Sequence, residues 1–174
     1  MIILGIDPGS RKTGFGLIEN QTNRITYIHS GYLNIKGETL PEKLGQIFND
    51  ITDLISEYQP KQMGIEQVFM HRNADSALKL GQARGAAICA GHISGLEIGE
   101  YAPRLIKQAI VGTGAASKEQ VMHMVQRLLN LNKDLQSDES DGLAIAICHA
   151  QYYATQQKMG IDPKLFKNRR TSRR

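Results

Sequence analysis

The sequence predicts an α/β fold in which a mixed five-stranded sheet carries helices on both faces. Three short apolar or alternating segments near the N-terminus predict consecutive strands. Further along the chain, segments with apolar residues at helical spacing alternate with two more strand-like runs, which is typical of a layered α/β domain. The length of 174 residues suits one compact domain.

The first 35 residues predict an antiparallel meander. Residues 2–7 form a short apolar run that ends in Asp7-Pro8-Gly9-Ser10, as expected of a buried strand followed by a turn. Residues 13–19 alternate between large apolar and small side chains, and residues 25–35 again resemble a strand. Because the connections between these strands are short, we expect antiparallel pairing.

The rest of the chain completes the predicted order βββαβαβααα. The helix over residues 40–58 has apolar residues in a 4-3-4-3 spacing, begins behind a capping box of Thr39 and Glu42, and ends before Pro60. The other predicted elements are a strand over 62–68, a long Ala- and Gly-rich helix over 74–95 capped by Asn73, a strand over 96–101, a helix over 103–111, a helix capped by Ser117 and Gln120 that ends at Leu131, and a last helix from about Asp138.

Charge divides the chain into two parts. From Lys158 onward there are seven Lys and Arg residues and one acid, whereas residues 1–157 carry a small net negative charge. We therefore predict a folded domain over residues 1–157 and a basic, flexible tail over residues 158–174. Such a tail is typical of a protein that binds a polyanion, and it is also common as a solubilising segment.

The sequence also predicts the cellular compartment of the protein. No apolar run approaches the ~20 residues that span a bilayer, and the N-terminus has neither a basic region nor a cleavage site. We therefore expect a cytoplasmic protein that makes no membrane contact. Cys89 and Cys148 lie far apart in Ala- and Ile-rich surroundings without a CxxC motif, so we expect two buried free thiols.

Four acidic residues are the candidate active site. Asp7 and Glu66 each end a predicted strand, and open α/β sheets bind ligands at the carboxyl ends of their strands. Asp138 and Asp141 lie one turn apart at the start of the last helix, where acids also favour the helix dipole. Converging carboxylates without a His or Cys cluster favour Mg²⁺ or Mn²⁺, and two such ions support phosphodiester hydrolysis. Scattered surface acids are the alternative.

Specific motifs relate the chain to a known family. The matching segments are Asp7-Pro8-Gly9-Ser10, Glu66-Gln67-Val68-Phe69, the block from Asn73 to Gly85, Gln108 with Val111-Gly112, and Asp138…Asp141-Gly142-Leu143-Ala144-Ile145-Ala146. Over about residues 1–155 the sequence resembles the RuvC family of Holliday-junction resolvases. The resemblance implies a ribonuclease-H-like fold and Mg²⁺-dependent, symmetric nicking of four-way DNA junctions in recombination and repair. It also implies that Asp7, Glu66, Asp138 and Asp141 are the catalytic residues and ligands of two ions.

A second set of residues is predicted to contact DNA. No acid occurs between Tyr101 and Ser117. This pattern by itself fits a solvated basic face as well as a DNA contact. The resemblance to the family favours the DNA contact. A Phe is usually a core residue, but the resemblance suggests an exposed aromatic that stacks on an unpaired base. The predicted contacts are Phe69, Arg72, Asn73, Arg104, Lys107 and Lys118. A structural role and a DNA contact both stay open for His71, Lys79 and Arg84.

Assembly follows from the symmetry of the substrate. Paired nicks in a four-way junction need two active sites related by a two-fold axis, so we expect a homodimer. The candidate interface is the helix over 74–95, whose small residues would let two helices approach closely; the alternative is that they pack against the sheet. The resemblance also implies that the branch-migration proteins RuvA and RuvB are partners.

Parts of the sequence are also compatible with two other functions. A junction-binding protein without catalysis would not need all four acids. An actin-like ATPase has a first phosphate loop similar to Asp7-Pro8-Gly9-Ser10, but it needs a second, duplicated domain that 174 residues do not provide.

Overall fold

The computed structural model of the protein describes residues 1–22, 24–69 and 74–158. In this part of the chain the strands are β1 (Ile2–Asp7), β2 (Lys12–Gln21), β3 (Arg24–Asn34), β4 (Gln62–Glu66) and β5 (Glu97–Tyr101). The helices are α1 (Leu40–Tyr58), α2 (Ala74–Ile93), α3 (Pro103–Val111), α4 (Lys118–Leu128) and α5 (Ser137–Lys158). The predicted order of elements is confirmed.

The strands form a mixed sheet in the order β3-β2-β1-β4-β5. β1, β2 and β3 pair as the predicted antiparallel meander, whereas β4 and β5 run parallel to β1. As a result, the carboxyl ends of β1, β4 and β5 and the beginning of β2 meet at one edge of the sheet. Because the sequence predicts the active-site acids at these strand ends, we name this edge the catalytic edge.

Helices cover both faces, as predicted. On one face α1 and α2 pack around Leu4, Ile6 and Leu17. On the other face α5 lies against the sheet, and α3 and α4 pack against α5 around a cluster that includes Ile3 and Ile18. β1 and β2 therefore alternate their side chains between two apolar layers, one on each face of the sheet. None of the helices in the described part of the chain is long and apolar enough to cross a membrane.

Glycines allow α5 to lie directly on the backbone of the sheet. A Cβ at Gly14 would overlap the carbonyl oxygen of Asp138, and one at Gly142 would overlap the backbone of Phe15. Because neither Cβ is present, the first turn of α5 approaches β2 closely. This contact brings the two aspartates of that turn to the catalytic edge.

Three predicted elements, β4, α2 and α4, end two or three residues earlier than expected, and α2 stops at Ile93 before the positive φ of Gly95. β4 ends at Glu66, because the last backbone bond to β5 runs from the Gln67 N–H to the Tyr101 carbonyl (2.8 Å) and Pro103 then begins α3. α4 ends at Leu128, and Asn130 beyond it has a positive φ of 51° that ends helical geometry. Both predicted capping boxes, at the starts of α1 and α4, are present.

Candidate active site

Asp7 and Glu66 lie side by side at the catalytic edge. β1 and β4 pair in parallel with Ile6 opposite Ile65, so the next residue of each strand is one of these acids. Their side chains share a hydrogen bond. Two carboxyl groups can share a hydrogen bond only when one of them is protonated.

The surroundings of the pair favour retention of a proton between the two carboxyl groups. Burial, reinforced by Glu66 and Asp141, raises the pKa of Asp7 from 3.8 to about 8, against a smaller opposing effect of Lys118. Burial and Asp141 also raise the pKa of Glu66, but the hydrogen bond from Asp7 and the charges of Lys118 and Lys107 lower it. Without a cation, the catalytic edge therefore binds a proton at neutral pH.

The other two predicted acids face lysines. Asp141 accepts a hydrogen bond from Lys118 Nζ at 3.1 Å, and this contact raises the pKa of the lysine. Asp138 Oδ2 lies 3.9 Å from Lys12 Nζ. Within the described residues, no three His, Cys, Asp or Glu side chains lie close enough together to hold one metal ion. In this arrangement Asp138 and Asp141 are paired with ammonium groups.

Two of the predicted DNA-contact residues, Lys107 and Lys118, lie near these acids. Lys107, from α3, is close enough to Glu66 to lower its pKa. Arg104 is exposed and its side chain lies over Gly114, where a Cβ would collide with it. Phe69 follows the end of β4 and is 53% exposed, so it is a surface aromatic and not a core residue. Arg72 and Asn73 lie outside the described residues, as does His71.

Two contacts at the catalytic edge were not predicted. Lys12, beside Asp138, also lies 4.4 Å from the centre of the Tyr32 ring. Arg84 donates from Nε to the backbone carbonyl of Glu66 at 2.9 Å and forms an ion pair with Glu100. Arg84 thereby ties α2 to the ends of β4 and β5. Its neighbour Lys79 pairs with Asp75 along α2 at 2.7 Å, so both side chains have structural contacts.

The outer face of α2 carries apolar side chains and glycines. Leu78 is 61% exposed and Ile93 is 73% exposed. A Cβ added at Gly81 or Gly85 would meet nothing within 4 Å, so these glycines do not pack against the sheet. The prediction that Cys89 is buried is wrong, because it is exposed on this helix, whereas Cys148 is buried as expected. The buried small residues of α2 lie on its inner face, where the helix packs against α1 and the sheet.

This fold, with acids at the ends of two parallel strands and at the start of a helix laid across them, defines a nuclease-like α/β domain. A family model described as Crossover junction endodeoxyribonuclease RuvC matches residues 3–149. That match covers most of the chain, and the chain belongs to the RuvC family.

Relatives and solved structures agree with that assignment. The proteins of this name from Psychromonas ingrahamii and Tolumonas auensis are 57% and 52% identical over 149 and 158 residues, covering 86% and 91% of this chain and the same shares of theirs. Thermus thermophilus RuvC has a TM-score of 0.78 at 31% identity and covers 92% of this chain and 97% of its own. The structure of T. thermophilus RuvC in complex with Holliday junction substrate has a TM-score of 0.83 at 31% identity. The match covers 89% of this chain and 96% of that chain. The predicted ribonuclease-H-like fold is confirmed.

Proposed function

We propose that this chain is a structure-specific endodeoxyribonuclease that resolves four-way DNA junctions by paired, symmetric nicks near the crossover. Family membership and the likeness to an RuvC structure in complex with Holliday junction substrate support the substrate class. The single observation that supports hydrolysis at this edge is the contact between Asp7 and Glu66, with Asp141 near enough to raise both pKa values.

The donors at the catalytic edge suit divalent cations by their chemistry, and Asp138 and Asp141 would have to turn from their lysines toward Asp7 and Glu66 to ligate them. The four side chains offer only carboxylate oxygens, which suit Mg²⁺, with Mn²⁺ as a substitute. The proton that Asp7 and Glu66 share indicates that these carboxyl groups need positive charge to be ionised together. Asp7, Glu66, Asp138 and Asp141 would hold the ions, two per site. Bound Mg²⁺ supplies activation of a water molecule and stabilisation of the leaving oxygen.

The lysines of the site have a second role in this proposal. Lys118 now pairs with Asp141, and Lys107 lies near Glu66. When carboxylates ligate cations, these ammonium groups are free to bind phosphates of the cut strand, and Arg104 extends the same surface. Phe69 stacks on an unpaired base near the crossover. Arg72 and Asn73 are proposed DNA contacts from the sequence alone.

The proposed assembly is a homodimer through the outer face of α2. Its exposed leucine and isoleucine and its open glycines form a surface on which a second copy of the helix could pack closely. A two-fold axis there supplies two active sites for two equivalent strands. Residues 1–157 form the nuclease domain, residues 158–174 add positive charge for DNA, and RuvA and RuvB are the proposed partners.

A cleavage experiment tests this function. The protein is incubated with a synthetic four-way junction that has a mobile core, with Mg²⁺ and without ATP, and the products are mapped to the nucleotide. Paired nicks at symmetric positions are expected. A shifted but uncut junction would instead favour a binding protein without catalysis, and ATP hydrolysis without cutting would favour the actin-like alternative. The Glu66→Gln variant is the matched control, since it should bind the junction without cutting it.

A further inference from the structure

Lys12 occupies a defined place at the catalytic edge. It is the first residue of β2, and the antiparallel register pairs Asp7 with Gly14, two residues further along the same strand. Side chains two apart in a strand lie on the same face, so Lys12 lies on the face that α5 covers. Because Gly14 has no side chain, α5 comes close there, and the Lys12 ammonium lies 3.9 Å from Asp138.

The Tyr32 ring contacts the same ammonium group. Tyr32 pairs with Gly14 across the β2–β3 ladder, and its ring centre lies 4.4 Å from Lys12 Nζ. A cation over an aromatic face is attracted by the ring quadrupole, and because an ammonium group has three N–H donors, contact with the ring leaves donors for another ligand. The lysine side chain is 49% exposed, and Tyr32 is 38% exposed. The ammonium is therefore oriented and still accessible to a ligand.

Its ion pair with Asp138 does not by itself explain this arrangement. Water screens ion pairs between exposed groups, so they add little to the stability of a fold. The separation of 3.9 Å is also longer than a charge-assisted hydrogen bond, in contrast to the 3.1 Å between Lys118 and Asp141. The Lys12 ammonium thus keeps donors for an anion.

The distribution of positive charge around the acids indicates which anion Lys12 binds. Lys107 and Lys118 approach the acids from α3 and α4, whereas Lys12 approaches from the β2–β3 side. A DNA strand that crosses the catalytic edge would bring phosphates against the acids on both sides of the cut bond. If only Lys107 and Lys118 supplied positive charge, the negative charge of Asp138 would face a phosphate with no cation to offset the repulsion.

We infer that Lys12, oriented by the Tyr32 ring, binds a backbone phosphate of the cleaved strand on the side opposite Lys107 and Lys118. This inference rests on the proposed function. It adds a phosphate-binding residue that neither the basic stretch before Ser117 nor the motifs of the family pointed to.

The salt dependence of junction binding measures such a contact. Binding of a four-way junction is followed in chelator over a series of salt concentrations, so that no cutting occurs. Lys12→Ala should lower the slope of log affinity against log salt by about 0.7 to 0.9, the value for one lost phosphate contact. Its affinity deficit should therefore shrink about threefold between roughly 50 and 200 mM salt. Lys12→Arg should keep the slope, and Tyr32→Leu should reduce the affinity.

Lys61→Ala is the matched control. Lys61 is exposed at the opposite edge of the sheet, just before β4, so the same loss of charge there should leave the slope unchanged. A second control separates phosphate binding from an effect through Asp138. In an Asp138→Asn background, Lys12→Ala should still lower the slope, because its partner would be the phosphate and not the carboxylate.

Each result has a defined consequence. A slope for Lys12→Ala equal to that of the wild type, or an effect that disappears in the Asp138→Asn background, would overturn this inference and leave the proposed function intact. An equal fall in slope for Lys61→Ala would also overturn it, since the effect would then be one of overall charge. A wild-type protein that binds no junction would overturn the proposed function and the inference together.

Discussion

Replacing Asp7 with Asn should stabilise the metal-free protein at neutral pH while abolishing its cutting. In the folded protein, burial together with Glu66 and Asp141 raises the pKa of Asp7 to about 8. The unfolded chain releases this proton near pH 4. Folding at pH 7 therefore forces the carboxyl group to take up a proton, which costs free energy, and an amide has no such cost.

The magnitude follows from the two pKa values. Between pH 3.8 and pH 7 the folded protein keeps the proton and the unfolded chain does not. Each pH unit in that interval lowers the free energy of unfolding by about 1.4 kcal/mol. The penalty at pH 7 is therefore as much as about 4 kcal/mol, a large share of the stability of a domain. Because the folded state binds more protons than the unfolded state, this contribution to stability falls as pH rises from about 4 to about 8.

Urea denaturation in the presence of a chelator measures this difference. The free energy of unfolding of Asp7→Asn should exceed that of the wild type at pH 7, and the gap should close toward pH 4. The two proteins are compared at each pH because His149, whose pKa burial lowers to about 4, makes stability rise between about pH 4 and pH 6.5 in both. Asp53→Asn, at an exposed position of α1, is the control and should change little.

A definite result would refute this reasoning. If Asp7→Asn unfolds at the same or a lower urea concentration than the wild type at pH 7, then Asp7 is not buried beside Glu66 and Asp141 as the structure has it. Addition of Mg²⁺ gives a second readout: it should raise the melting temperature of the wild type, since a ligand of the folded state stabilises it, and should do so much less for the variant.

Three further outcomes are expected. Glu66→Gln should cut junctions slower by orders of magnitude and still shift them in a gel; near wild-type cutting would remove Glu66 from the active site. Phe69→Ala should melt close to the wild type, since Phe69 is 53% exposed, but cut poorly; a loss of ~3–5 kcal/mol would instead indicate a core residue. Gly81→Phe should fold, because the space around Gly81 is open, yet sediment as a monomer and lose paired cutting, whereas a folded dimer would move the interface elsewhere.

Local patterns in the sequence were enough to predict most elements. The helix α1 has the predicted bounds because its apolar spacing, its capping box at Thr39 and Glu42, and Pro60 all act within a few residues of one another. α3 has its predicted bounds for a similar reason, since Pro103 begins it and Gly112 adopts the left-handed conformation at its end.

The sequence also placed acids at the ends of strands, and the family motifs assigned them a role. A strand end is a local property, so Asp7 and Glu66 could be located before the sheet was known. Their shared hydrogen bond could not, because it depends on the parallel pairing of β1 with β4, which are separated by two strands and a helix in the chain.

Tertiary structure alone decided which cations accompany which acids. Lys12 meets Asp138 only because α5 packs onto Gly14, and Arg84 reaches the Glu66 carbonyl only because α2 crosses the end of β4. The premature end of β4 has the same origin, since its partner β5 stops at Tyr101. Each of these contacts joins residues far apart in the chain, and no local spacing encodes the packing of one element on another.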